Sequence, residues 1–333
     1  MMENRIKYID RMKGFAILLV VMGHVYLFSM GQSPCVAHEI ISTFHMPLFM
    51  YLSGLVAVKG ITPPYWNLCQ LLNKLKGLII PLLVFGVMFS ITFGNIDTMV
   101  DFADRVLGFI HSPNKYGYWY LMTLAVFYLS LQLFRINKWN SKVVEIIIAF
   151  GTWIVFYCGW KWTAQINDPF CLLNCGNFYI FFILGVFSSK YGLIDKMMHH
   201  NTLFTIGIIG YLVLFDYVAP LHAVRSIVKH IALPLCALLV IVPLFVKREC
   251  DASFVESRLE YFGRNSLDIY VIHYFIITHI HLEVVDDWLQ DSGNLFLSVI
   301  LTVVLSLAVS FACIGVGKIL RYSHLIRRYV YCR

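Results

Sequence analysis

The sequence predicts an all-α polytopic membrane protein, a bundle of about ten transmembrane helices with cytoplasmic N- and C-termini. Hydrophobic residues make up 59% of the 333 residues and charged residues only 14%, whereas soluble domains carry about 25% charged residues. The mean hydropathy of +0.73 leaves little surface that requires water. The apolar residues also fall into separate runs, most of them long enough to cross a bilayer.

Ten apolar runs are the predicted spans. The first follows four basic residues, as in a signal peptide, but no small-residue cleavage site comes after it, so we expect a mature helix. The third and eighth runs contain prolines, which a membrane bundle tolerates when neighbouring groups satisfy the freed carbonyls. The runs cover residues 12–30, 44–59, 77–94, 118–134, 143–159, 177–188, 203–219, 230–246, 265–282 and 295–317.

Lysine and arginine are divided unequally between alternate connections. With ten spans, 21 of the 26 lie on the side of the N-terminus and five on the other side. Because positive charge accumulates in cytoplasmic loops, this division predicts cytoplasmic termini and an even number of spans. It also accounts for most of the net charge of +7 without a basic face for nucleic acid.

We expect residues 1–333 to form a single transmembrane domain without an appended soluble domain. The longest outer connection, about 95–117, is too short for an independent enzyme domain. Cys171 and Cys175 share one predicted outer loop, where they either pair in an oxidising compartment or remain free thiols. Their spacing matches no usual zinc pattern, and no metal is expected.

The first span contains an ionisable residue, His24, and such groups inside a bilayer are functional candidates because they are costly. His24 lies about 18 Å into the span. Lys13 precedes it by eleven residues, which places both side chains within about 20° of one helix face, about 16 Å apart. The alternative is a structural histidine bonded to a neighbouring helix and an ordinary cytoplasmic-side lysine.

The second span begins with "FHMPLFMYLSGL". His45 is predicted at its outer end, just after the outer loop that carries Glu39. Ser53 lies two turns further along the same face. The pair Ser53-Gly54 is more often a close-packing site between helices than a nucleophile.

Two further groups of polar residues flank later spans. Arg264, with Asn265 or Ser266 as N-cap, would form an anion site at the start of the ninth span, or a simple cap beside a topological arginine. The remaining candidates lie in the inner loop before the third span (Lys74 and Lys76), at the outer start of the fourth (Trp119 and Tyr120, also typical of an interfacial belt) and within the ninth (Tyr270 and His273).

Together these stretches resemble the acyltransferase-3 family of integral-membrane O-acyltransferases. That family has a basic residue, ten residues and a histidine in its first helix, as Lys13 and His24 do within "YIDRMKGFAILLVVMGHV". The other similar stretches follow in family order up to residue 273. Two features depart from the pattern, since Lys74 and Lys76 stand where relatives often carry paired arginines, and many relatives have an added extracytoplasmic hydrolase-like domain. The other stretches are "FHMPLFMYLSGL", "WYL", "FYIFFILG" and "FGRNSLDIYVIH".

The resemblance implies a membrane acyltransferase that moves an acetyl group from cytosolic acetyl-CoA to a sugar hydroxyl in a surface polysaccharide, lipid-linked glycan or glycan precursor. His24 would act as general base or acyl relay, and His45 would assist at the acceptor. The expected donor-binding residues are Lys13, Lys74, Lys76, Arg264, Asn265 and Ser266. The expected acceptor-binding residues are Glu39, Ser53, Trp119, Tyr120, Tyr270 and His273.

The expected location is the bacterial cytoplasmic (inner) membrane, in a multi-pass topology. The expected partners are the lipid bilayer, the glycan acceptor and proteins of glycan assembly, with no nucleic acid. A transporter or flippase is the main alternative, because intramembrane histidines and proline-broken helices occur there too. The paired broken segments of transporter repeats are not evident in this sequence.

Overall fold

The computed structural model describes residues 6–30, 36–57, 68–93, 98–134, 141–163, 168–199, 201–217, 228–247, 253–291 and 294–331. These residues are almost entirely helical and contain no strand. A 3-10 turn lies at Pro113–Tyr116, and π-helical turns lie at Val228–Ala232 and Ile326–Val330. The α-helices are α1 (Lys7–Ser29), α2 (Val36–Ala57), α3 (Leu68–Thr92), α4 (Met99–His111), α5 (Trp119–Leu133), α6 (Lys142–Thr163), α7 (Leu172–Tyr191), α8 (Leu193–His199), α9 (Asn201–Tyr217), α10 (Leu233–Lys247), α11 (Phe254–Arg264), α12 (Ser266–Ile277), α13 (Glu283–Asp291) and α14 (Leu295–Tyr322).

Each of the ten predicted apolar runs overlaps one of these helices, although residues 58, 59, 94, 218 and 219 of those runs lie outside the described residues and the ninth run extends beyond Ile277, where α12 ends. Within the described ranges, seven helical segments are long and apolar enough to cross a membrane. They belong to α1, α2, α3, α6, α7, α10 with its preceding turn, and α14, whereas α5, α9 and α12 are apolar but shorter. The all-helical, multi-span class is therefore confirmed. The number of about ten spans and the cytoplasmic position of both termini stay predictions.

Several helices begin earlier than the apolar runs that predicted them. Helix α2 begins at Val36 and not near residue 44, so Glu39 lies in its first turn and His45 lies inside the helix. The prediction of an outer loop carrying Glu39 and a histidine at the helix end was wrong. Helix α3 likewise begins at Leu68, which places Lys74 and Lys76 on the helix and not in a loop. Apolar runs stop at polar side chains, but adding a residue to an existing helix requires no new nucleus.

Helix α7 begins five residues before its predicted start because a carboxylate caps it. Asp168 accepts hydrogen bonds from the backbone N–H groups of Leu172 and Leu173, at 2.7 and 3.0 Å. Cys175 therefore lies in the first turn of a 20-residue helix and not in a loop. Cys171 and Cys175 are both free thiols and buried. Burial, together with the Asp168 carboxylate, raises the pKa of Cys171 to about 12, which keeps this thiol protonated.

Amphipathic helices between the apolar runs were not predicted. Helix α4 occupies much of the predicted outer connection and begins with a capping box between Thr98 and Asp101. Its one buried side chain, Phe109, packs its ring against Gly86 of α3. Helix α11 begins with a second capping box, formed by Ser253 and Glu256. A Ser/Thr followed three residues later by an acidic residue is the sequence signal for such a start.

The chain forms two compact units. The first unit comprises residues 1–52 and 187–317, and the second comprises residues 53–186 and 318–333. That residues 1–333 form a single transmembrane domain stays a prediction.

The first unit has a core in which α1, α2 and α10 meet. Leu19, Phe44 and Ala237 are its buried members, with Phe15 and Met22 of α1 packed against them. The core side chains come from one face of α1, and this contact orients α1 within the unit.

The second unit is held by aromatic side chains from three helices. Phe127 of α5 packs with Phe156 of α6 and with Tyr179 and Phe182 of α7, with ring centroids 4.8–6.0 Å apart. Gly54 lies directly against the Phe182 carbonyl. The structure thus supports close helix packing at Ser53-Gly54.

Within the first unit, α1 runs parallel to α11 and α12, and two glycines bring the backbones of α1 and α11 into direct contact. A Cβ on Gly14 would overlap the Leu259 carbonyl, and a Cβ on Gly263 would overlap the Asp10 carbonyl. Beside this contact, the buried Arg11 forms an ion pair with Glu256 at 3.3 Å. The two backbones can approach this closely only because neither glycine has a side chain.

The glycine contact also sets the register of the two chains beyond it. His24 lies ten residues after Gly14, and His273 lies ten residues after Gly263. At about 1.5 Å per residue, α1 carries His24 about 15 Å beyond Gly14, while the chain from Gly263 to His273 passes from α11 through Asn265 into α12. The 2.9 Å bond between the two histidines places them at the same height.

We predict that Gly14→Ala and Gly263→Ala each destabilise the protein, because each methyl group would overlap a backbone carbonyl that cannot move as a side chain can. The expected cost is about 1–3 kcal/mol, the range for overpacking. Thermal unfolding of the purified protein in detergent measures it. Gly23→Ala is the matched control, since Gly23 also lies on α1 and a Cβ there meets nothing within 4 Å. Equal melting temperatures for Gly14→Ala and Gly23→Ala would contradict the prediction.

Candidate active site

A hydrogen-bonded pair of histidines lies inside the first unit. His24 Nδ1 on α1 is 2.9 Å from His273 Nε2 on α12. The two rings are nearly parallel, with an interplanar angle of 16°. On the other side of His24, the Tyr274 hydroxyl lies 3.0 Å from Nε2. Both nitrogens of the His24 imidazole are therefore engaged by side chains of α12.

The far end of this chain of hydrogen bonds is anchored to backbone. His273 Nδ1 lies 2.9 Å from the carbonyl oxygen of Ile269, one turn earlier on α12. A carbonyl only accepts, so Nδ1 of His273 carries a proton, and in the neutral ring Nε2 is then the acceptor. His24 must donate to it from Nδ1, which leaves Nε2 of His24 as an acceptor for the Tyr274 hydroxyl. The tautomers follow from the partners of each nitrogen.

The three side chains differ in burial. His273 is 0% exposed and Tyr274 is 6% exposed, whereas His24 is half-buried. His24 is therefore the most exposed of the three side chains. Two further histidines of α2, His38 and His45, lie within electrostatic range of the His24 ring.

His45 uses the same kind of backbone bond as His273. Its Nδ1 lies 2.7 Å from the Ile41 carbonyl, so Nδ1 of a neutral His45 carries the proton and Nε2 does not. Glu39, in the first turn of α2, is exposed. The Tyr270 ring lies 6.1 Å from the His273 ring, centroid to centroid, so the structure brings Tyr270 to the histidine pair.

The predicted anion site at the start of α12 has a different arrangement. The Arg264 guanidinium bonds to Glu260 and lies 3.8 Å from Asp10, so two carboxylates already face this cation. Asn265 occupies the N-cap position but makes no side-chain cap bond, and the predicted cap was wrong. Because α11 ends at Arg264, the Asn265 amide donates instead to the Tyr261 carbonyl at the end of that helix, at 2.8 Å. Ser266 is the first residue of α12.

Lys13 lies on α1 with His24. The helix is continuous from Lys7 to Ser29, so the eleven-residue spacing from Lys13 to His24 is helical throughout. The Lys13 side chain is half-buried.

The remaining predicted residues belong to the second unit. The Ser53 and Tyr120 hydroxyls share a hydrogen bond of 2.8 Å. Trp119 stacks on Phe178 at 5.1 Å between ring centroids. The Lys74 ammonium lies 5.2 Å from the centroid of the Tyr128 ring, a cation–π contact, whereas Lys76 is exposed.

Sequence reasoning missed Tyr274 and the pairing of the histidines. Tyr274 directly follows His273, and on a helix neighbouring residues point in different directions, so adjacency gave no reason to join them. Arg11 and Glu256 were also missed, because Arg11 was counted as one more cytoplasmic-side charge. Within the described ranges, no three His, Cys, Asp or Glu side chains group as metal ligands, and a metal-free site stays a prediction.

The fold and the site define an α-helical, multi-span membrane protein with a histidine pair inside a helical unit. Residues 6–315 of the 333 match the acyltransferase domain of the acyltransferase-3 family, and the chain belongs to that family. The protein is therefore an acyltransferase, and the family suggests acyl transfer to a hydroxyl at a membrane. No curated protein and no solved structure matches the chain.

We predict that the Ser53 and Tyr120 hydroxyls stabilise the second unit as a pair. Ser53→Ala, Tyr120→Phe and the double variant form a double-mutant cycle, and the expected coupling is about 0.6 kcal/mol, typical of hydrogen bonds between membrane helices. Unfolding free energies in mixed micelles provide the measurement. Strictly additive effects of the two substitutions would show that the bond contributes nothing to stability.

Proposed function

We propose that this protein is an O-acyltransferase of the bacterial cytoplasmic membrane that transfers an acetyl group from cytosolic acetyl-CoA to a sugar hydroxyl. The acceptor is a surface polysaccharide, a lipid-linked glycan or a glycan precursor, and glycan-assembly proteins are the expected partners. His24 is the general base. The observation that carries the proposal is the 3.0 Å hydrogen bond between the Tyr274 hydroxyl and Nε2 of His24, the nitrogen that the bonds of His24 and His273 leave as an acceptor.

The Tyr274 hydroxyl indicates where an acceptor hydroxyl would bind. A general base must lie within hydrogen-bonding distance of the proton that it removes, and Nε2 of His24 meets this requirement for the Tyr274 hydroxyl, 3.0 Å away. A neutral imidazole can take up this proton near pH 7. An acceptor that displaces the Tyr274 hydroxyl would form the same bond to Nε2.

The proposed reaction follows from this arrangement. The acceptor O–H bond breaks, its proton passes to Nε2 of His24, and the acceptor oxygen forms a bond to the thioester carbonyl carbon. When the tetrahedral intermediate collapses, the C–S bond breaks. The leaving thiolate of coenzyme A takes the proton back from Nε2, so His24 returns to its starting state and no net proton is taken up.

A covalent acyl-histidine relay uses the same nitrogen. Nε2 carries the free lone pair in the neutral ring, and it is therefore also the nucleophilic atom. The hydrogen bond from Tyr274 favours the base, since it demonstrates contact between a hydroxyl and Nε2 in this site. Mass spectrometry of the protein quenched in acid after exposure to acetyl-CoA distinguishes the two, because only the relay adds an acetyl group to His24.

We assign donor binding to Lys13. Coenzyme A is anionic at one end and carries its thioester on a long flexible arm. Lys13 would hold the phosphate end, and the arm would follow α1 for about 16 Å to His24. Arg264, Asn265 and Ser266 are secondary candidates, since Arg264 already faces Glu260 and Asp10. Lys74 and Lys76 of the second unit remain proposed donor ligands, and Glu39, His45, Ser53, Trp119, Tyr120 and Tyr270 proposed acceptor ligands.

We predict that His24→Ala and His24→Gln each lower acetyl transfer by about 10²- to 10⁴-fold, the contribution of a general base. The assay incubates membranes that contain each variant with radiolabelled acetyl-CoA and counts the label in extracted glycan. His279→Ala is the matched control, because His279 makes the same Nδ1 bond to a carbonyl four residues earlier but is exposed. Retained transfer in a folded His24→Ala protein would refute the proposal. Movement of a glycan across the membrane without acetylation would support the transporter alternative.

We predict that Lys13→Ala raises the KM for acetyl-CoA by about 10- to 100-fold with little change in kcat. This corresponds to the loss of one hydrogen bond to a charged group, about 1.5–3 kcal/mol. Lys7→Ala is the control, since it removes an exposed lysine from the same helix. An unchanged KM for Lys13→Ala, or an equal rise for Lys7→Ala, would remove Lys13 from the donor site.

A further inference from the structure

We propose that His273 is a positioning residue that fixes the tautomer of His24, so that the basic lone pair lies on Nε2 and faces the acceptor. This inference rests on the proposed function, because it assigns a role relative to the base of that reaction. It concerns a residue that sequence reasoning had placed among the acceptor ligands. In the structure, His273 contacts Nδ1 of His24, and not Nε2, the nitrogen that would face the acceptor.

The direction of the hydrogen bonds is imposed from the backbone. The Ile269 carbonyl cannot donate, so it fixes the proton of His273 on Nδ1. His273 Nε2 can then only accept, and it fixes the proton of His24 on Nδ1, 2.9 Å away. The tautomer of an imidazole is set by the partner of its other nitrogen. In each of these two hydrogen bonds the partner, first the Ile269 carbonyl and then Nε2 of His273, can only accept.

The burial of His273 stabilises this placement of the protons on the two histidines. His273 is 0% exposed, so water does not compete for its nitrogens. If the proton of His24 moved to Nε2, Nδ1 of His24 and Nε2 of His273 would face each other as two acceptors without a proton between them. Such a buried, unsatisfied contact is disfavoured. The arrangement therefore destabilises the His24 tautomer with its proton on Nε2, in addition to accommodating the tautomer with its proton on Nδ1.

The pair also suits the protonated state that forms during the reaction. When Nε2 of His24 takes the acceptor proton, Nδ1–H continues to donate to neutral His273, and the bond becomes charge-assisted and stronger. No proton has to pass from His24 to His273. The imidazolium is stabilised where it forms, and the proton remains on the nitrogen from which the thiolate removes it.

Two substitutions separate this role from simple packing. His273→Gln can place an amide oxygen near the position of Nε2 and keep the acceptor for His24. His273→Asn is shorter, so its amide reaches the Ile269 carbonyl but leaves His24 Nδ1 without that acceptor. We expect His273→Gln to keep kcat within about 10-fold of wild type. We expect His273→Asn to lower kcat by about 100-fold, at the low end of a general base's contribution, with an unchanged KM for acetyl-CoA.

The tautomer is measured directly by nitrogen NMR of the full-length protein, labelled with ¹⁵N-histidine and reconstituted in lipid nanodiscs. The His24 signals are assigned by their loss in His24→Gln. We expect an unprotonated Nε2 in wild type and in His273→Gln, and a protonated Nε2 in a substantial fraction of His273→Asn. The spectra are recorded at a pH where His38 and His45, which also act on His24, are neutral.

The outcomes distinguish this inference from the proposed function. A His273→Asn variant with wild-type kcat, together with inactive His24 variants, would overturn the positioning role alone. A wild-type His24 protonated on Nε2 would overturn the positioning role and also Nε2 as the basic atom. Full transfer by the His24 variants would overturn the proposed function, whereas the spectra would still report the tautomer. Equal losses of kcat in His273→Gln and His273→Asn, with the His24 tautomer unchanged in both, would assign His273 to packing and overturn the inference.

Discussion

The candidate site depends on a backbone contact that lies well away from it. Gly14 and Gly263 allow α1 to touch α11 with no side chain between them, and each glycine is followed ten residues later by a histidine of the pair. A slip of one residue along either helix would move one histidine by about 1.5 Å and turn it by about 100°. The 2.9 Å bond between His24 and His273 would not survive such a slip. The geometry of the site is thus determined by the register of two helices.

The ion pair between Arg11 and Glu256 reinforces this register. Both charges are largely removed from water, and the desolvation of a buried ion pair offsets much of its attraction, so the pair contributes little net stability. The ion pair does favour one register of α1 against α11 over others, because a shifted register would leave Arg11 buried without Glu256. Glu256 is also the acidic residue of the capping box that starts α11. The same carboxylate therefore fixes where α11 begins and where α1 lies against it.

Hydropathy predicted which segments are helical and membrane-like, but not where the helices begin or what they bring together. Polar residues near the true helix starts, such as Glu39 in α2 and Lys74 in α3, ended the apolar runs too early. Helices α4 and α11 have no long apolar run, and the capping box at the start of each is a local signal that hydropathy does not detect. His24 was singled out from its position in an apolar helix, since an ionisable group there is conspicuous. Its partner is 249 residues distant in sequence. Such a contact depends on how two helices pack against each other, and residue spacing within one helix does not predict that packing.

The bond that orders the histidine pair is itself an ordinary feature of helices. His45, His273 and His279 each direct Nδ1 to the carbonyl four residues earlier, at 2.7–2.9 Å. A helical histidine is therefore readily left with its lone pair on Nε2, pointing away from its own backbone. The His279 side chain, with its Nε2, is exposed. Nε2 of the buried His273 instead contacts the imidazole of His24. The second imidazole reverses the pattern, since His24 is held from Nδ1 by a neighbouring side chain and not by its own helix. The ring of His24 is thus held through both nitrogens by side chains of α12, with Nδ1 on His273 and Nε2 on the Tyr274 hydroxyl.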